Sequence, residues 1–97
     1  MVTTEAHVPT SHGSRYLQQL CKHWAHKLEV AFTPEHGKVK LPDGAVADMR
    51  AAADALEVRL TAPDTEILER MKGVVARHLD RFAFREAPLP FEWRDGV

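Results

Sequence analysis

No apolar run in this chain approaches the roughly 20 residues that a membrane-spanning helix needs, which sets aside an integral helical membrane protein. Cysteine is nearly absent: Cys21 stands alone, so no disulfide can form within the chain. Neither sign of charge dominates. Thirteen Lys and Arg face 14 Asp and Glu, a formal net charge of -1, so charge gives no reason to expect nucleic acid or an acidic membrane surface as a partner. The opening MVTTEAHVPT has neither the basic end nor the apolar core of a secretory signal, and the expected location is cytoplasmic. Low-complexity tracts, internal repeats, a Gly-rich phosphate loop, a nucleophile elbow and zinc-knuckle spacing are also missing. With no catalytic constellation completed, a non-enzymatic role is the first expectation.

What is present is alternation and helical spacing within a length, 97 residues, that suits one domain spanning 1–97. Thr4 to Val8 reads as a short strand, stopped by Pro9 ahead of cap-like Thr10 and Ser11. From Ser14, Leu17, Leu20, Cys21, Trp24 and Leu28 follow helical spacing and define one apolar stripe. Leu28, Val30 and Phe32, then Val39 and Leu41, alternate around Pro34-Glu35-His36-Gly37, which predicts a hairpin whose Gly37 takes a positive φ. Pro42-Asp43-Gly44 predicts a second turn, Ala45 to Arg50 a strand weakened by small residues, and Asp54 a further turn. Leu56, Val58 and Leu60 show the clearest period-two pattern of the chain. Asp64 is placed to cap a second helix carrying Ile67, Leu68, Met71, Val74, Val75, Leu79 and Phe82 on one stripe. In the proline-interrupted tail, Leu89, Phe91 and Trp93 alternate, as a segment along a sheet edge would. The order is β-α-β-β-β-β-α-β, and the economical packing is α+β: an antiparallel sheet with both helices on one face.

The stretches SRYLQQLCKHWAHK and ARHLDRFAFRE, the HG turn between them and the F-x-W ending resemble a bacterial family known as domain of unknown function 2218. The resemblance covers nearly the whole chain. It implies a small free-standing protein of a kind also found attached to siderophore-interacting flavin reductases, hence a link to ferric-siderophore handling. It carries over no catalytic residue, ligand or cofactor.

Three groups of side chains are candidate sites. His23 and His26, three apart on a helix, would lie about 60° apart around its axis, near enough to share a metal ion. No third protein ligand follows at i+4 or i+7, and Cys21 points to the apolar side, so solvated histidines on a basic face weigh more. His78 occupies a stripe position where leucine is expected, which requires a hydrogen-bond partner such as a backbone carbonyl or Tyr16, with His12 a possible neighbour. Arg77 and Arg81, four apart, would form with Arg15 and Lys22 a basic groove for a carboxylate, a phosphate or an anionic siderophore, although Asp80 and Glu86 are interspersed. Trp24, Trp93, Phe82, Phe84 and Phe91 are expected in core and tail packing.

Two functional classes and one structural class follow. The preferred one is a binding or accessory module, presenting Arg15, Lys22, His23 and His26 to a reductase or holding an anionic small molecule. The second is a histidine-dependent protein in which His12, His23, His26 or His78 binds iron, haem or another metal. The third is a homodimer joined through an unpaired edge at Ala45 to Arg50 or at the tail.

Overall fold

A computed structural model describes residues 1–96. Strands β1 (Val2–Pro9), β2 (Glu29–Phe32), β3 (His36–Lys40), β4 (Val46–Ala51), β5 (Ala55–Ala62) and β6 (Trp93–Asp95) and helices α1 (Gly13–Trp24) and α2 (Thr65–Phe82) follow the predicted order. All strand pairs are antiparallel in one sheet ordered β2-β3-β4-β5-β1-β6. The fold is α+β in two layers. Both helices lie on one face, α1 over β2 to β5 and α2 over β5 and β1.

Period-two patterning explains the layering. Ala6 and Val8, Val39, Ala47 and Met49, and Leu56, Val58 and Leu60 are buried under the helices, while Glu5, His7, Lys38, Arg50, Glu57 and Arg59 point to the open face. Leu17, Leu20, Cys21 and Trp24 of α1 and Leu68, Met71, Val75 and Leu79 of α2 close the core from above. Asp64 caps α2 as expected, its Oδ1 accepting from the Ile67 N–H at 2.9 Å.

Several local expectations are corrected. Thr10 and Ser11 do not cap α1: His12 holds that position without a side-chain bond, and the Thr10 Oγ1 accepts from the His12 N–H at 3.1 Å in a turn preceding the helix. Helix α1 ends at Trp24, where the Lys27 and Leu28 N–H groups converge on the Trp24 carbonyl and turn the chain toward β2, so Leu28 and His26 lie outside the helix. The hairpin turn is held by Thr33, whose hydroxyl accepts from the Glu35 and His36 N–H groups at 3.3 and 3.1 Å. Gly37 therefore belongs to β3, opposite Phe32, and has no positive φ; that conformation falls to Asp43 (φ 63°) and Gly44 (φ 81°) in the next turn. The segment Ala45 to Arg50 is no edge, because β4 pairs with β3 on one side and β5 on the other. Its small residues fit under α1. The open edges are β2 and β6, the latter a three-residue strand laid against β1.

Candidate functional site

Helices α1 and α2 run antiparallel: Tyr16 near the start of α1 meets Glu86 just past α2, and His23 near its end meets His78. At that second meeting point the His78 ring lies 5.1 Å from the Trp24 ring and 5.9 Å from the His23 ring, with Phe82 5.9 Å from His23. His78 is half-buried, and its Nδ1–H donates to the Val74 carbonyl at 2.6 Å. This leaves Nε2 as the acceptor of the neutral ring. Tyr16 is not its partner. His23 is thus brought to His78 across the helix pair, while His26 sits in the turn beyond α1 and His12 packs edge-on against Tyr16 at 6.1 Å.

Among the described residues, no group of three or more His, Cys, Asp or Glu side chains is placed to hold a metal ion. Cys21 is buried against the sheet, and burial pushes its thiol up to about 11, so it is protonated at neutral pH.

On the open sheet face, cross-strand pairs join Lys40 to Glu29 at 2.9 Å, Arg59 to Glu5 at 3.3 Å, His36 to Asp48 at 2.9 Å, and His7 to Glu57, while among the described residues Lys38 and Arg50 have no carboxylate oxygen within 4.0 Å. On the helix face, among the described residues, Arg15, Lys22, Arg77, Arg81 and Arg85 have no carboxylate oxygen within 4.0 Å. The acids that the sequence interleaves there are committed elsewhere. Asp80 accepts from the Leu89 N–H at 2.9 Å and anchors the tail. Glu86 accepts from the Tyr16 hydroxyl and from the Thr10 hydroxyl at 3.0 Å. The Tyr16 bond, above all, holds the Glu86 carboxyl below its ordinary value, whereas burial and then Glu86 push the Tyr16 phenol up.

The predicted four-cation groove divides in two. Arg77, His78 and Arg81 line one surface depression of about 320 Å³. Arg15 lines a second of about 270 Å³, with Tyr16, Gln19, Phe82, Phe84 and Arg85, and Lys22 lines neither. Phe84 is not a core residue: it is 71% exposed. The Thr10-Tyr16-Glu86 cluster had no sequence signal beyond a tyrosine on the apolar stripe, since its members are up to 76 residues apart.

A two-layer α+β protein whose six-stranded antiparallel sheet is covered on one face by two helices defines the class. Residues 5–94 match the family described as "Uncharacterized protein conserved in bacteria (DUF2218)", and the chain belongs to that family. It is also similar to the NMR structure of PA4090 from Pseudomonas aeruginosa, with 38% identity, a TM-score of 0.81 and coverage of 97% of this chain and 96% of that one. No curated protein matches the chain. No helix among the described residues is long and apolar enough to cross a membrane.

Proposed function

We propose that the protein is a non-catalytic binding module that holds an anionic small molecule on its helix face, with Arg77 and Arg81 supplying the charge and the hydrogen-bond donors beside His78. One observation carries this reading: among the described residues, Arg15, Lys22, Arg77, Arg81 and Arg85 have no carboxylate oxygen within 4.0 Å, while the nearby Asp80 and Glu86 are bound to a backbone N–H and to hydroxyls. Two guanidinium groups four residues apart on a helix repel one another, and an anion between them removes that repulsion while accepting bidentate bonds. The family resemblance points the ligand toward a ferric siderophore, whose carboxylate or catecholate groups are anionic, and the partner toward a siderophore-interacting flavin reductase.

The test is an NMR titration of the whole chain with citrate and with gallium(III) citrate, a diamagnetic substitute for the ferric complex. Saturable one-to-one shifts at the Arg77 and Arg81 Nε–H groups and the His78 ring are the expected result. Scattered, unsaturated shifts, or shifts that persist in Arg77→Gln/Arg81→Gln, would refute the reading.

A further inference from the structure

Phe84 poses a question that packing does not answer. Among the described residues, the large apolar side chains left exposed are Met1, Phe32 and Phe84, and Phe84 follows the end of α2, beside Arg15 and Tyr16 of α1, at 71% exposure. Its position is imposed by its neighbours. Ala83 is buried, and its N–H donates to the Leu79 carbonyl at 2.8 Å; the Glu86 N–H donates to the Ala83 carbonyl at 2.8 Å. The Glu86 side chain is fixed in turn by Tyr16 and Thr10. A turn pinned at residues 83 and 86 holds the two residues between them outward, so the aromatic ring is presented rather than loosely exposed.

What surrounds that ring is chemically mixed. The Arg85 guanidinium carbon lies 5.7 Å from the Phe84 ring centroid, and Phe82 and Phe84 with Arg15 and Arg85 border the depression of about 270 Å³. Aromatic walls favour a ring, held by stacked or edge-on contact, and unpaired guanidinium groups favour a carboxylate. An inorganic anion would leave the aromatic walls unused; a neutral arene would leave the arginines uncompensated. The size lies just under that of a drug-sized ligand site, roughly 300 Å³ at the lower end, which suits one or two fused rings.

We infer that this depression binds an aromatic carboxylate, with the ring against Phe82 and Phe84 and the carboxylate paired with Arg15 or Arg85. The inference rests on the anion-binding reading of the helix face and adds the apolar half of the ligand.

The experiment is a titration of the full chain, followed by amide NMR, with 2-naphthoate and with cyclohexanecarboxylate, which has the same charge but no π-face. Saturable shifts at Gln19, Phe82, Phe84 and Arg85 are expected for 2-naphthoate, with affinity about three- to tenfold above that for cyclohexanecarboxylate. Phe84→Ala should remove that preference and leave the citrate response at Arg77 and Arg81 intact, which also shows that the variant is folded. Equal affinity for the two carboxylates, no saturable binding of 2-naphthoate, or an unchanged preference in Phe84→Ala would overturn the inference while leaving the citrate result to stand or fall by itself. A failed citrate response beside an intact Phe84-dependent one refutes the Arg77 and Arg81 reading and keeps this site.

Discussion

Gly37 of β3 lies so close beneath Cys21 of α1 that a Cβ at residue 37 would stand 2.7 Å from the Cys21 Sγ, and 3.2 Å from the Leu17 Cδ2. The absence of a side chain at Gly37 is what lets α1 seat on the sheet at this point, and the helix side-chain layer is sealed around it.

Gly37→Ala is therefore expected to destabilise the protein by about 1–3 kcal/mol, as overpacking does in a closed core. Cys21→Ala vacates the clashing atom, so the double variant Cys21→Ala/Gly37→Ala should lose less than the sum of the two single changes. Urea midpoints at constant slope measure both.

Glu86 makes stability depend on acid. Its carboxyl is held below the ordinary value in the folded protein, so its contribution is present above pH 4.5 and is lost as pH falls through the folded value. Tyr16→Phe removes the leading cause of that shift and is expected to cost about 1 kcal/mol at neutral pH, with a smaller cost once the pH has fallen through the folded value. Thermal melts of the two proteins between pH 3 and 7 should converge toward the acid end; a constant gap would contradict the linkage.

Removing a cation from the helix face should not harm the fold. Arg81→Gln relieves repulsion with Arg77 at i,i+4 and is expected to leave stability unchanged or to raise it by about 0.2–0.5 kcal/mol at low salt. The same change should reduce the thermal stabilisation that millimolar citrate gives to the parent protein. A loss of stability with undiminished citrate stabilisation would show that Arg81 is a structural residue.

Lys72 tethers the last strand. Its ammonium, 13% exposed, contacts Asp95 at 2.8 Å and Glu69 at 2.6 Å. Burial alone would lower its pKa, but the bonds to Asp95 and Glu69 outweigh that and the net shift is upward. Lys72→Met should release β6 from β1 while the rest of the sheet holds. Amide exchange at Gly96, whose N–H donates to the Thr3 carbonyl at 2.8 Å, should quicken, whereas Val58 in the sheet centre should stay protected.

The legibility of this chain followed the reach of its interactions. Leu56, Val58 and Leu60, and the stripe from Ile67 to Phe82, are periodic because each element faces one core, so the α+β class and the element order could be read directly. Gly37 looked like a turn glycine because its local neighbours, Pro34 and His36, favour a turn; its real constraint is Cys21, in a different layer. The end of α1 was misplaced because Leu28 continues the apolar spacing, while the Trp24 carbonyl draws the chain out of the helix. At the site, the arginines were visible but their freedom was not. Asp80 and Glu86 look like neutralising neighbours until Leu89, nine residues beyond Asp80 and past the helix end, and Tyr16, 70 residues from Glu86, are seen to occupy them.

The N-terminal strand sits between β5 and β6, inside the sheet. During synthesis Val2–Pro9 emerges ahead of its hydrogen-bonding partners, residues 55–62 and 93–95. Its apolar alternate positions must wait, unpaired, until residues 55–62 have been made, and its second side is closed only by residues 93–95. Such long-range closure slows folding and prolongs the exposure of a strand that can pair wrongly. The polar alternates Glu5 and His7 give this waiting strand one face unsuited to sticking, so the polarity of the open sheet face protects the nascent chain before it serves the finished fold.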